Sequence, residues 1–139
     1  MSQNELPPLR EPEADGRPFW EAAAKGRLVL QRCRACGTVR FPPRHQCNKC
    51  WSPDTEWFEA SGRGEIESIT IIRRAPTAAY RDRVPFVLVA VTLAEGVRMI
   101  TNLIGEGAME GRIGNKVEVC FEQRPNGALP QFRLSEKLS

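Results

Sequence analysis

The sequence has few of the side chains on which enzymes usually depend, and it has no long hydrophobic segment. It contains one histidine and one tyrosine among 139 residues, and no paired carboxylate motif that could replace histidine in acid–base catalysis. Its longest nearly apolar run, Val84 to Ala94, is about half the length that a helix needs to cross a bilayer. Residues 1–17 lack the basic region and the apolar core of an export signal. We therefore expect a soluble cytoplasmic protein without membrane contact, which does not catalyse a reaction alone.

The composition excludes a disordered chain. Hydrophobic residues make up 41% of the sequence and charged residues 27%, which is ordinary for a globular protein. Eleven glycines and eleven prolines indicate many loops. The length suits one domain or two very small ones. The formal net charge of +3 is too small by itself to indicate a nucleic-acid-binding protein.

The N-terminal part predicts a short helix after a polar segment. Prolines and mixed charges are typical of a flexible lead-in over residues 1–14. Asp15 is placed to cap the helix, with Pro18 in its first turn and Gly26 just past its end. So short a helix would be marginal alone and must pack against another part of the chain through Phe19 and Trp20. The expected units are the lead-in and helix (1–26), a cysteine-rich module (27–60) and a β-rich module (61–139).

The C-terminal part predicts five short strands, which are typical of a small all-β barrel. β-branched and aromatic residues recur there in short runs that turn residues separate. The runs cover residues 66–72, 85–93, 97–104, 117–121 and 132–134. Glu95-Gly96 fits a tight hairpin between the second and third runs, and Pro125-Asn126-Gly127 fits a turn between the last two.

The strongest motif is formed by four of the five cysteines. They make two Cys-x-x-Cys pairs separated by ten residues, Cys33 with Cys36 and Cys47 with Cys50. Two such knuckles can supply four thiolates in the tetrahedron that Zn²⁺ prefers, with no open position for water. We therefore predict one structural zinc ion. Gly37 can adopt the positive φ that follows such a knuckle, whereas Trp51 in the same place predicts a tighter or distorted second knuckle.

Other interpretations of these residues remain open. Iron in the same cage and two redox-active dithiols are the alternatives to zinc. His45 lies near the second pair, but four cysteines already complete the site, so we interpret it as a loop residue. Cys120 lies between strand residues, and no second histidine exists to activate it. We therefore interpret Cys120 as a packing thiol.

The cysteine-rich module has no acidic residue between Ala22 and Pro53. The same stretch contains the basic residues Lys25, Arg27, Arg32, Arg34, Arg40, Arg44 and Lys49. A zinc tetrathiolate carries a formal charge of −2, so the stretch keeps a positive charge. One interpretation is that these side chains donate hydrogen bonds to the sulfurs or are simply solvated. The other is that they form a surface for nucleic acid, a phosphorylated cofactor or an acidic protein.

Four segments carry a resemblance to a known family: FWEAAAKGRLVLQRCRACGTVRFPPRHQCNKCWS, SGRGEIESIT, VPFVLVAVTLAEGVRM and IGNKVEVCF. They closely resemble the bacterial and archaeal family, long labelled a domain of unknown function, that joins a zinc ribbon to an OB-fold domain and accompanies thiolase-like enzymes. The most specific part is the set of four cysteines with Phe41-Pro42-Pro43-Arg44 between them. Trp51 departs from the family, which usually has glycine there.

The resemblance implies a mainly β fold with a short N-terminal helix, a rubredoxin-like zinc ribbon and a C-terminal five-stranded OB-fold barrel. It also implies a non-catalytic accessory subunit whose larger, thiolase-like partner is a thiolase, an aldolase or an acyl-CoA hydratase. Such a subunit scaffolds its partner and helps to hold or channel acyl-CoA. One form completes a two-subunit thiolase that acts on an aromatic or steroid acyl-CoA.

The alternative hypothesis is a zinc-ribbon and OB-fold protein that binds single-stranded nucleic acid. The β-rich module has few aromatic residues for base stacking, and the basic residues are concentrated in the other module, so we favour the accessory subunit. Arginine forks bind phosphates and carboxylates through two hydrogen bonds. The predicted contacts with CoA phosphates or with an acidic partner are therefore Arg32, Arg34, Arg40, Arg44 and Lys49.

Overall fold

The computed structural model describes residues 14–78 and 81–135, in which one α-helix and eight strands form a ribbon and a barrel. The elements are α1 (Arg17–Ala24), β1 (Val29–Cys33), β2 (Val39–Arg40), β3 (Thr55–Glu59), β4 (Arg63–Ile72), β5 (Phe86–Leu93), β6 (Arg98–Leu103), β7 (Lys116–Arg124) and β8 (Gly127–Leu134). Most of the expected flexible lead-in, residues 1–13, lies outside the described residues. No helix in the described part of the chain is long and apolar enough to cross a membrane.

The helix α1 forms where the sequence predicts it, but it begins differently. Pro18 lies in its first turn, and Gly26 follows its end with a φ of 76°. Gly16 occupies the N-cap position, and no side chain caps the helix. The prediction that Asp15 caps the helix is wrong, because Ala14–Gly16 form a 3-10 turn that leads directly into α1.

The ribbon is an antiparallel sheet in which β1 lies between β2 and β3. β3 pairs with β1 along its whole length, from Val29 opposite Glu59 to Cys33 opposite Thr55. The two residues of β2 pair only with the middle of β1. As a result, the acidic residues of β3 lie beside the basic residues of β1, although the sequence separates them.

The β-rich module is a closed barrel with the strand order β4-β5-β6-β8-β7, and the predicted five-stranded barrel is confirmed. β4 pairs with both β5 and β7, which closes the sheet into a barrel. β6 and β8 meet in parallel at Leu103 and Phe132. Alternate residues of the strands fill the interior, among them Ile66, Val87, Val89, Val91, Leu93, Met99, Leu103, Val117 and Phe132.

Both predicted turns of the barrel are confirmed. In the hairpin between β5 and β6, Gly96 has a φ of 89°, and the N–H of Leu93 donates to the carbonyl of Val97 at 2.8 Å. Between β7 and β8, Arg124 pairs with Gly127, so the loop has two residues.

The helix joins ribbon and barrel in one hydrophobic core. Phe19 is buried, and its ring centre lies 5.1 Å from that of Trp20 and 5.3 Å from that of Phe41. α1 packs against β8 of the barrel and β1 of the ribbon, and the N–H of Ala60 donates to the carbonyl of Leu28 at 2.9 Å. Burial of one phenylalanine contributes about 1.5–3 kcal/mol. The helix therefore packs the ribbon and the barrel together through shared buried apolar residues.

Candidate metal centre

The paired cysteines lie in two knuckles that have the same backbone geometry. The N–H of Gly37 donates to the carbonyl of Cys33 at 2.8 Å, and the N–H of Trp51 donates to the carbonyl of Cys47 at 3.0 Å. Gly37 has a φ of 78° and Trp51 a φ of 64°. The expected distortion of the second knuckle is wrong, because Trp51 takes up the left-handed conformation and the turn is unchanged.

The two knuckles bring four sulfur atoms together. The Sγ atoms of Cys33, Cys36, Cys47 and Cys50 all lie within 4.8 Å of one another, with Cys33 3.5 Å from Cys50 and Cys36 3.6 Å from Cys47. None forms a disulfide. Four sulfurs at Zn–S distances of about 2.3 Å would be about 3.8 Å apart in a regular tetrahedron. The donor set and its spacing therefore fit one tetrahedral zinc ion.

Hydrogen bonds divide the thiols into those that ionise readily and those that do not. The backbone N–H groups of Cys50 and Lys49 lower the pKa of the Cys47 thiol to about 6. The backbone N–H of Ser52 lowers the pKa of Cys50, but the neighbouring cysteine sulfurs and desolvation together raise it to about 12. Four neighbouring thiolates repel one another strongly, so a divalent cation is needed for all of them to be charged.

Neither His45 nor Cys120 is part of the candidate metal site. The His45 side chain is exposed, with Nδ1 3.8 Å from Oδ1 of Asp15. Cys120 lies half-buried on β7, and burial raises the pKa of its thiol, although the charge of Arg133 opposes this shift. A raised pKa is the opposite of what an activated nucleophile needs.

Acidic residues around β3 neutralise part of the basic stretch. The ion pairs are Arg27–Glu59 at 2.7 Å and Arg32–Glu56 at 3.2 Å, with longer contacts from Arg34 to Asp54 at 3.8 Å and to Glu56 at 3.9 Å. Sequence analysis missed these partners because they follow the acid-free stretch and reach it only through pairing of β3 with β1. The basic surface is therefore smaller than the sequence suggests.

The structure separates the predicted contact residues. Arg40 is 4% exposed, and its Nη2 donates to Oγ1 of Thr55 at 2.6 Å and to the carbonyl of Arg44 at 3.3 Å. A buried guanidinium cannot meet a phosphate at the surface, so we remove Arg40 from the predicted contacts. Arg34, Arg44 and Lys49 are exposed.

Sequence analysis also missed a partly buried ion cluster beside the barrel. Oε1 of Glu122 lies 2.8 Å from Nη2 of Arg124, whose side chain is 4% exposed, and Oε2 lies 2.9 Å from Nη2 of Arg83. These residues and Gln131 line a cavity of about 260 Å³. Glu122 and Arg124 lie two residues apart on β7, and the loop before β5 brings Arg83 to them, so no local motif could have indicated the contact with Arg83.

Comparison with known proteins identifies both modules. Residues 20–56 match the rubredoxin-like zinc ribbon domain of ChsH2, and residues 57–122 match its C-terminal OB-fold domain. A solved chain of the Ltp2-ChsH2(DUF35) aldolase superposes with a TM-score of 0.83 at 36% identity, over 92% of this chain and 100% of that chain. The chain belongs to the DUF35 family.

Two curated relatives of this DUF35 chain are named as enzyme subunits. The probable enoyl-CoA hydratase alpha subunit of Thermomonospora curvata is 41% identical over 117 residues, which are 83% of this chain and 36% of the relative. The benzoylsuccinyl-CoA thiolase subunit BbsA of Thauera aromatica is 31% identical over 101 residues, 71% of this chain and 62% of the relative. The chain thus spans less than two thirds of the length of either relative.

Proposed function

We propose that this DUF35 chain is a non-catalytic accessory subunit of a thiolase-type acyl-CoA enzyme complex. The observation that carries the proposal is the match of ribbon and barrel together, at 36% identity, to a complete chain of the Ltp2-ChsH2(DUF35) aldolase. The two relatives named as hydratase and thiolase subunits support it, because both names specify CoA thioester chemistry. The partner is then a larger subunit of thiolase, aldolase or hydratase type, whose substrate is an acyl-CoA such as an aromatic or steroid thioester.

The chain's own residues support a scaffolding role. Burial, together with the charges of Glu118 and Glu122, raises the pKa of the Cys120 thiol, which is the opposite of what an activated nucleophile needs. A zinc ion bound by Cys33, Cys36, Cys47 and Cys50 cross-links the two knuckles and holds the ribbon, which is too small to bury a core of its own. Four reduced thiols also favour a cytoplasmic location. In this proposal the folded chain positions the larger subunit, and the larger subunit catalyses the reaction.

The exposed cations near the knuckles supply an electrostatic contact in this proposal. Arg44 and Lys49 are exposed, and Arg34 is exposed with only longer contacts to carboxylates of its own chain, so all three can meet the phosphates of CoA or acidic groups of the larger subunit. Arg27 and Arg32 are engaged by Glu59 and Glu56 and contribute less.

Co-expression with candidate larger subunits of the three types tests the proposal. Light scattering after size-exclusion chromatography should show a stable complex with one type, and this chain should raise that subunit's turnover or solubility. The isolated chain should convert no acyl-CoA. Failure to bind any of the types, or turnover by the isolated chain, would contradict the proposal. Tight binding of a single-stranded oligonucleotide instead would favour the nucleic-acid alternative.

A further inference from the structure

Among the described residues, Trp51 has the most exposed aromatic side chain. It is 70% exposed, and its backbone has a φ of 64°, which residues other than glycine rarely adopt. We propose that Trp51 is the anchor through which the second knuckle docks into an apolar, acid-rimmed pocket on the larger subunit. This inference rests on the proposed function and adds the residue and the kind of surface that make the contact.

The first knuckle shows that the fold does not need a side chain at this position. Gly37 occupies the corresponding place, with a φ of 78° and the same hydrogen bond to the first cysteine of its pair. Glycine adopts this backbone conformation without steric strain, whereas tryptophan does not. Trp51 therefore occupies a position where glycine would be more stable.

The ring does not contribute to the stability of the folded chain through burial. With 70% of its surface in water, Trp51 gains little from the hydrophobic effect, unlike Trp20 and Trp57, which pack against the core. A strained and exposed aromatic side chain has a physical use when another surface covers it. Burial of a tryptophan is among the largest single contributions to protein–protein binding.

The knuckle fixes the backbone that carries the ring. The N–H of Trp51 is bonded to Cys47, and Cys47 and Cys50 lie on either side of Lys49 in the same metal-binding turn. With the backbone fixed in this way, only the two side-chain torsions of Trp51 lose freedom when the ring enters a pocket, so more of the burial energy appears as affinity.

The charges beside Trp51 indicate the partner's surface. Lys49 is exposed two residues before Trp51, and Arg34 of the first knuckle is 58% exposed, with the carboxylate of Asp54 3.8 Å away. An apolar pocket with acidic groups on its rim complements this arrangement. A nucleic-acid base could also stack on the ring, and the experiment distinguishes that case.

Three variants and one control test the proposal: Trp51→Gly, Trp51→Ala, Trp51→Phe and Ile113→Ala. Ile113 is an appropriate control because it is also 70% exposed and lies in the connection between β6 and β7. Calorimetric titration with the larger subunit that the wild type binds should show Kd raised at least about 30-fold in Trp51→Gly and Trp51→Ala, and less in Trp51→Phe. Ile113→Ala should bind like the wild type.

Stability and metal content separate docking from a structural role. Trp51→Gly should keep one zinc ion per chain by the tetrahedral count, with a Tm equal to or above that of the wild type. A lower Tm with loss of zinc would overturn the proposal, as would unchanged binding by Trp51→Gly or an equal loss in Ile113→Ala. Weakened binding of a labelled single-stranded oligonucleotide with unchanged subunit binding would also overturn it. If the wild type binds no larger subunit, the proposed function fails together with this inference.

Discussion

Arg32 of β1 and Glu56 of β3 lie opposite each other in the ribbon sheet, with Nη1 3.2 Å from Oε1. The guanidinium carbon of Arg32 also lies 4.1 Å from the ring centre of Phe58, so this cation is engaged within its own chain. The basic stretch is therefore uneven, with some cations paired internally and others exposed. Arg44 and Lys49 form no ion pair among the described residues, and they are the ones we expect to act between molecules.

Charge reversal at these two positions tests the electrostatic contact. Arg44→Glu with Lys49→Glu should weaken binding of the larger subunit or of CoA by about 1–2 kcal/mol, because attraction is replaced by repulsion. The salt dependence of Kd between about 0.05 and 0.5 M should become flatter. Lys25→Glu is the matched control, since Lys25 is exposed at the end of α1, away from the knuckles. Because Lys25→Glu changes the net charge by half as much as the double variant, an effect of half the size in the control would show that only net charge matters.

Local patterns in the sequence predicted those features of the structure that a few neighbouring residues determine. The two cysteine pairs and the five apolar runs act over a few residues each, so their spacing indicated the four-sulfur site and a small barrel, whereas the ribbon architecture was implied by the family resemblance. The surroundings of Arg40 and Arg32 depend on which strands pair, and the contact of Glu122 with Arg83 depends on the loop before β5, so no single run of residues specifies them. The burial of Arg40 and the Arg32–Glu56 pair therefore had to come from the structure.

Two local predictions failed for a different reason. Asp15 is a residue type that favours the N-cap, but the cap position depends on where the helical backbone begins, and the 3-10 turn moved it to Gly16. Trp51 has a low preference for positive φ, but the hydrogen bonds of the knuckle impose that conformation. In both cases the geometry of several residues outweighed the preference of one.

Removal of one metal ligand should have a larger effect than removal of the unpaired thiol. Cys36→Ser replaces one of four sulfurs, so the zinc content should fall well below one ion per chain and the ribbon should unfold first on heating. Cys120→Ser should keep its zinc and change the free energy of unfolding by less than about 1 kcal/mol. Elemental analysis and thermal denaturation measure both quantities. Full zinc occupancy in Cys36→Ser would show that this cysteine is not a ligand.

The ion cluster beside the barrel should matter for stability. Glu122→Gln removes the charge that pairs with Arg83 and with the buried Arg124, so we expect a loss of about 3 kcal/mol in the free energy of unfolding. Glu118→Gln is the matched control on the same strand, because its pair with Arg133 is exposed and should contribute less than about 1 kcal/mol. Denaturant titration of the two variants gives the comparison. Equal losses would mean that burial does not strengthen the cluster.

Protons should compete with zinc for the thiols of the second knuckle, Cys47 and Cys50, at different pH values. The N–H groups of Cys50 and Lys49 lower the pKa of Cys47 to about 6, so in the metal-free protein this thiol is ionised at neutral pH. Protons therefore compete with zinc for Cys47 only when the pH falls to about that value.

Cys50 behaves in the opposite way. The N–H of Ser52 lowers its pKa, but the surrounding sulfurs and desolvation raise the pKa to about 12, so zinc must displace its proton at any ordinary pH. Calorimetry in buffers of different ionisation enthalpy should therefore detect proton release on zinc binding near pH 8. Zinc retention against a chromogenic chelator should fall most steeply below about pH 6, where Cys47 also becomes protonated. Cys120→Ser should follow the same curve, because that thiol lies outside the group of four sulfurs. Binding without proton release, or zinc loss complete above pH 7, would show that the thiols do not ionise in this order.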